Sequence, residues 1–499
     1  MLSKNSQRLI LTMLIALFVI PVWNSVSEAD CTWTTTPLSP GVATADGTTN
    51  QTNLRLQNVN SAILRKPNTP CATNPNAGTI GIFIMHSFSS YTGFTACTEL
   101  AKRGYVTLCA DSVFTNRQQE YKGYEDHAQG IRRGIDYLRS VVGVQKALIF
   151  GHSMGAPMMT FYQNVAENTA ATACQGPEKI IACDATNLSN LPKADGVMLF
   201  DAHLGDALAT FTYVDPAVKK DTKPGIRNAA LDMFDPSNGY PGDTAAGSPT
   251  FKSATYDDKF KRRFLDGQVN RNADLLQDAQ NIWSDIQAEK PELYPDNMPF
   301  IVPGADGAAR LWQADTSLVN CTKNQQIFLT HTGTQNPSPG PICSVRIPSA
   351  SAAGDDSFDS VEKVNVRVWL GAHALRTNGR YDQTKDDITG IDYDSSATST
   401  VSMVKGIGKH PNGSNVTTPL LIVANGGHYF LRPDEIVYEN ANSTTDKTFA
   451  IEEGAVHGGG PCTQCAQALG LPQDYFGDTN QRTYDFMDQW LSKPGRFLP

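Results

Sequence analysis

The apolar run Ala147-Leu148-Ile149-Phe150 leads without interruption into Gly151-His152-Ser153-Met154-Gly155 and then into the helix-forming stretch Ala156 to Glu167. No other feature constrains this chain more. A strand that turns sharply into a helix has room only for glycine two positions either side of the apex. The serine between them is held in a strained backbone with its hydroxyl exposed, and the N-terminus of the following helix favours negative charge developing beside it. This is the pattern of a nucleophile elbow, and it predicts an activated Ser153.

Short apolar runs alternate with helical stretches on both sides of that turn. After a Thr-, Asn- and Pro-rich lead-in over residues 30–78 with one strand-like run, Ser61 to Arg65, the pattern predicts strands over Thr79 to Met85 and Tyr105 to Ala110. It predicts helices over Thr95 to Arg103 and Tyr124 to Val142, and further strands over Lys146 to Phe150 and Gly196 to Phe200. Strand, helix, strand at this rhythm implies right-handed parallel crossovers. From Leu204 to Thr417 the rhythm breaks, with a helical stretch Tyr256 to Glu289 and loops around Pro337 to Pro341. An insertion is the economical reading, its Trp283, Phe300, Trp312 and Trp369 either lining a pocket or filling its own core. Strands resume at Pro419 to Ala424 and Lys447 to Ile451, and Thr483 to Leu491 reads as a closing amphipathic helix.

A net charge of −9 over 499 residues leaves no basic surface for phosphate backbones, so nucleic acid is excluded as a partner and a small neutral substrate fits better. Residues 1–29 read as a secretory signal: Lys4 and Arg8, an apolar run Leu9 to Trp23 broken by Pro21, then Ser27-Glu28-Ala29 before a cleavage point. The expectation is a secreted or periplasmic protein with no membrane contact in its mature form. All ten cysteines follow that segment, which makes disulfides the default. Their spacing suggests Cys31 with Cys71, Cys97 with Cys109, Cys174 with Cys183, Cys321 with Cys343 and Cys462 with Cys465, although sequence alone leaves connectivity open. No set of residues resembles a zinc site, and neither metal nor cofactor is expected.

Strand, elbow serine, helix, and a histidine in the turn Gly454-Ala455-Val456-His457 after the last strand resemble the α/β-hydrolase superfamily of serine esterases and lipases. The resemblance covers residues 79–203 and 419–499. It implies an α/β fold: a mostly parallel central sheet flanked by helices, with a large cap between the strand ending at Asp201 and the strand starting at Pro419. The implied organisation is a signal (1–29), a first core part (30–203), a cap (204–417) and a second core part (418–499). Carried over, Ser153 is the nucleophile and His457 the general base and acid. His152 is read only as the elbow's neighbour.

The commonest pattern puts the third residue, a carboxylate, in the loop after the next-to-last strand, which here reads Asn425-Gly426-Gly427-His428-Tyr429-Phe430 and has none. A second arrangement in the superfamily takes it from the end of the preceding core strand, where Val197 to Phe200 runs into Asp201. Asp201 is therefore the expected acid, with Glu435, Asp434 and Asp206 in reserve. The oxyanion hole is expected from the backbone N–H of Met154 and of Ser87 or Phe88, in a loop whose His86 with His428 and Tyr429 borders the substrate. These readings converge on a carboxylic ester hydrolase acting through an acyl-enzyme on a small-molecule ester. An acyltransferase or peptidase of the same fold and an inactive binding module are the alternatives.

Overall fold

The computed structural model describes residues 30–40, 55–56, 59–116, 123–223, 225–242, 252–290, 298–304, 310–349, 361–405 and 416–499. The expected signal over residues 1–29 lies outside them. In chain order the strands are β1 (Trp33–Pro40), β2 (Arg55–Leu56), β3 (Val59–Pro67), β4 (Ile80–His86), β5 (Val106–Ser112), β6 (Lys146–Ser153) and β7 (Gly196–Ala202). There follow β8 (Pro299–Pro303), β9 (Ile327–Leu329), β10 (Gln335–Pro337), β11 (Val361–Asn365), β12 (Arg376–Gln383), β13 (Ile388–Asp392), β14 (Leu420–Asn425) and β15 (Lys447–Glu452).

Eleven of them form one sheet in the order β10-β9-β15-β14-β7-β6-β4-β5-β3-β1-β2. From β9 to β5 every neighbouring pair is parallel, while β3 and β10 run antiparallel to the block at its two sides. Alternate residues of the middle strands serve opposite faces. Ile82, Ile84, Leu148, Phe150, Met198 and Phe200 pack in one cluster with helices Thr95–Lys102 and Thr479–Leu491. Phe83, Met85, Ala147, Ile149, Val197 and Leu199 pack in the other with helices Tyr124–Tyr137 and Gly155–Asn168. Every residue of β4, β5, β7 and β14 is buried, which is why these segments read as unbroken apolar runs.

The chain steps from β4 to β5 on one side and then to β6 on the other side of β4. Connections leaving the carboxyl ends of β4 and β6 therefore diverge and open a crevice there, the usual ligand position in an open parallel sheet.

Residues 204–417 contribute more than a covering layer. Pairs β8/β11 and β12/β13 lie apart from the main sheet, but β9 adds parallel to β15 and β10 closes that edge. The region expected as loop around Pro337 thus begins as an edge strand, where a missing N–H is tolerated. The segment's long helix is Asp258–Gln287, capped by Asp257 at the Phe260 N–H (2.6 Å). Trp369, Trp312 and Phe300 are buried and Trp283 packs against the same cluster, so core filling accounts for most of these rings. The helix expected over Tyr124 to Val142 is α-helical only to Tyr137. Its last turn, Leu138–Val142, widens to a π turn that ends at Gly143 with φ 81°. The ten cysteines form the five expected local pairs.

Candidate active site

Ser153 ends β6 with φ 55°, a left-handed backbone that a serine adopts only under constraint. The constraint is visible in its glycines. A Cβ on Gly151 would lie 2.6 Å from the Gly155 carbonyl oxygen, and one on Gly155 would lie 2.8 Å from that of Met85. The turn is thus folded tightly on itself and seated against the end of β4. Asp201 near the end of β7 is also left-handed, with φ 44°, and the β6/β7 register shifts between His152 and Ser153.

Asp201 is fully buried. Its Oδ2 accepts from His457 Nδ1 at 2.5 Å and its Oδ1 from the Asn425 N–H at 3.3 Å. Burial pushes this carboxyl up, but the adjoining imidazoles of His428 and His457 more than offset it and hold the group below the usual carboxylate range. With Nδ1 on the carboxylate, His457 keeps Nε2 for a second partner, and its side chain is 37% exposed. Among the described residues the Ser153 hydroxyl makes no hydrogen bond; in an empty site such bonds are often long or unformed.

The loop after β4 is fixed by its own side chains. His86 Nδ1 accepts from the Phe88 N–H (3.1 Å) and the Ser89 N–H (3.0 Å). The Phe88 N–H, one of the two oxyanion donors expected from this loop, is thus directed at the His86 ring, and the Ser87 N–H is the other. The Ser87 carbonyl is clamped by Ser112 Oγ (2.5 Å) and His127 Nε2 (3.0 Å), which sets the orientation of the following peptide. Burial, reinforced by the charges of His457 and His127, pushes His86 down to about 3, so it is a neutral acceptor here. His86 thereby holds the loop after β4.

His152 was read only as the neighbour of the serine, and the structure corrects this. It is buried, its Nδ1 meets the Tyr91 hydroxyl at 2.5 Å and its Nε2 meets the His457 carbonyl oxygen at 2.7 Å. Burial, with Asp201's charge adding to it, keeps the Tyr91 hydroxyl protonated, so Tyr91 donates to Nδ1 and His152 donates from Nε2. Asn425 Nδ2 donates to the Val456 and His457 carbonyls at 2.7 and 3.3 Å. The backbone of His457 is thus held from two strands, and the His152 ring lies 4.3 Å from its ring. No motif encodes this. The only sequence signal was a histidine, of nine in the chain, placed beside the elbow serine.

His428, in the loop after β14, has its Nδ1 2.7 Å from the same Asp201 Oδ2. Tyr429 packs beside it, ring centroids 4.0 Å apart and tilted by 41°, under the Arg310 guanidinium. The reserve acids lie differently. Asp434 is buried with Oδ1 accepting the Ala202 N–H at 2.7 Å; burial and then the charge of Asp201 push its carboxyl well up. Glu435 is taken up by the Lys323 and Asn324 N–H groups, Gln326 and Arg432. Asp206 begins helix Asp206–Tyr213.

Among the described residues one cluster has metal-ligand spacing, His152, Asp201 and His457, with ligand atoms within 4.8 Å of one another. In the structure these groups are hydrogen-bonded, His457 Nδ1 to Asp201 Oδ2 and the His152 ring to the Tyr91 hydroxyl and the His457 carbonyl. Past His203 and Phe430, whose rings pack edge-on at 5.4 Å, lies a small, half-open cavity. Leu208, Thr212, Arg310 and Trp312, from residues 204–417, line it. Phe430 also packs edge-on against His457 at 5.5 Å, so this space adjoins the site.

A seven-strand parallel block with crossing connections at β4, an elbow serine on β6, and a carboxylate and a histidine delivered from β7 and beyond β15 define an α/β-hydrolase fold. No protein-family model and no curated protein matches the chain. Among solved structures it is similar to brefeldin A esterase, a bacterial homologue of human hormone sensitive lipase, at 11% identity over 95% of this chain and 79% of that one, with a TM-score of 0.37. It is similar also to a hypothetical protein from Pseudomonas aeruginosa (10% identity, 98% and 99% of the two chains, TM-score 0.36). A third is Est1E from Butyrivibrio proteoclasticus (11% identity, 87% and 95%, TM-score 0.32). Likeness at this level bears on neither substrate nor residue roles.

Proposed function

We propose that this protein hydrolyses carboxylic esters, with Ser153 as nucleophile, His457 as general base and acid, and Asp201 as the acid that orients the imidazole. The observation that carries the reading is the His457 Nδ1 bond to a buried, ionised Asp201 (2.5 Å), next to a serine held at φ 55° on the adjacent strand. Asp201 fixes the tautomer with the proton on Nδ1, so Nε2 takes the Ser153 proton as the hydroxyl attacks the ester carbonyl. The Met154 and Ser87 N–H groups receive the oxyanion, a contribution of about 2.7–4 kcal/mol per donor. Collapse of the tetrahedral intermediate expels the alcohol, which takes the proton from His457 and leaves an acyl-Ser153 ester. Water then repeats the sequence and releases the acid. Five disulfides support export to an oxidising compartment.

The test is labelling of the purified protein with a fluorophosphonate followed by peptide mapping, which needs no guess about substrate. Modification at Ser153, lost in His457→Ala, is the expected result. Folded protein that stays unlabelled refutes the assignment and turns attention to a non-catalytic binding role.

A further inference from the structure

Asp201 Oδ2 has two imidazole neighbours and only one of them is aligned to it. His457 Nδ1 makes a hydrogen bond at 2.5 Å, whereas His428 Nδ1 lies at 2.7 Å in an orientation that leaves this nitrogen, sealed from solvent, without a hydrogen-bond partner among the described residues. The two rings stack at 4.5 Å and 25°. A carboxylate oxygen can accept two donors, so a small turn of the His428 ring completes the second bond without displacing the first.

The His428 backbone is well anchored. Its carbonyl accepts from Ser344 Oγ at 3.0 Å and its N–H donates to the Asn425 carbonyl at 3.1 Å. The loop thus holds an imidazole in place of the carboxylate that the commonest arrangement puts there, aimed at the acid that the neighbouring strand supplies instead.

We propose that His428 is a positioning residue: its Nδ1–H holds the Asp201 carboxylate on the side away from His457 and disperses part of its charge. This rests on the reading of Ser153, His457 and Asp201 given above. The groups facing His428 are Asp201 from β7, His457 from beyond β15, Arg346 from the inserted segment and its own neighbour Tyr429, with Asp434 behind Asp201. Burial pushes His428 down to about 4, so near neutral pH it donates as an uncharged ring and adds no cation beside His457. Without that donor the negative charge on Asp201 is concentrated on the His457 side. The imidazolium form of His457 is then stabilised, and the pH at which it becomes a base rises.

The readout is the fluorophosphonate labelling rate of Ser153 as a function of pH, in wild type, His428→Phe and His428→Asn. Phenylalanine keeps the ring stack and lacks the donor, while asparagine keeps a donor at the Nδ1 position and loses the ring. A hydrogen bond to a charged group corresponds to roughly a 10–100-fold change, so His428→Phe is expected to label that much more slowly at neutral pH. Its acid limb moves to higher pH, and His428→Asn returns both towards wild type. A phenylalanine variant with the wild-type rate and limb overturns the proposal. So does an asparagine variant as impaired as the phenylalanine one, since the ring's packing would then be what matters. Wild-type protein that never labels removes the catalytic reading itself, and this inference with it.

Discussion

Asp201→Asn isolates one charge in a site that is otherwise unchanged in shape. The asparagine is isosteric, and its amide oxygen can keep the Asn425 N–H now 3.3 Å from Oδ1. Its NH2 then occupies the place of Oδ2, where His457 Nδ1 stands at 2.5 Å and His428 Nδ1 at 2.7 Å. Two donors cannot face each other at that distance, so His457 must present a bare Nδ1 and carry its proton on Nε2. In that tautomer it has no lone pair for the Ser153 proton. The same substitution in a triad of this logic costs about 10⁴ in kcat, which at 1.36 kcal/mol per decade is about 5.4 kcal/mol of transition-state stabilisation. Asp434→Asn is the internal control. That carboxyl is pushed well up by burial and the charge of Asp201, it makes no contact with His457, and asparagine can preserve its bond to the Ala202 N–H. Steady-state hydrolysis of a short-chain chromogenic ester, with thermal melts to exclude unfolding, is expected to show a loss near 10⁴ for Asp201→Asn and less than about tenfold for Asp434→Asn. Near-normal turnover in the former, or equal losses in both, refutes the reasoning.

Two further outcomes follow from the buried histidines. Tyr91→Phe removes the donor to His152 Nδ1 and leaves a buried nitrogen unpaired, so it should cost roughly 1–3 kcal/mol in denaturant melts and slow labelling of Ser153 by loosening the loop that carries His457; unchanged stability and rate would deny the strut a role. Burial, only partly offset by bonds to the Ser87 and Gly123 carbonyls, pushes His127 down to about 4 from 6.5, so the unfolded chain binds the proton first as pH falls. The stability this group contributes is present above pH 6.5 and lost on descent towards pH 4. Calorimetry should find wild type losing roughly 3 kcal/mol relative to His127→Gln across that window, and a constant difference would contradict it.

The parts of the site legible in the sequence are those fixed by local backbone geometry and chain order. Gly151 and Gly155 announce the turn because any side chain there would meet backbone, and the buried runs of β4, β6, β7 and β14 announce a parallel sheet because both of its faces are covered. His457 followed from its place after the last strand. Asp201 was readable as a strand end, although its alternatives stayed open because nothing local separates an acid that meets an imidazole from one that meets a backbone N–H, as Asp434 does. The engagement of the Phe88 N–H is hidden for a related reason: its acceptor is the side chain of His86, two residues earlier. The two strands that extend the sheet beyond β15 were hidden by brevity, three residues each, and by the proline that ends β10.

What escaped the sequence altogether is the set of contacts made across strands. His152 gives no periodic or motif signal of its function, since its partners Tyr91 and His457 lie 61 residues before it and 305 after. His428 drew notice only as a departure from a pattern. In the fold that departure and the unusual placement of the acid become one fact, because β7 and β14 are neighbours. A carboxylate at the end of β7 and one in the loop after β14 would crowd two negative charges around a single imidazole. With the acid on β7, the loop after β14 is free to carry a neutral donor, and an imidazole whose ring stacks on that of His457 is placed to supply it without competing for the proton near neutral pH.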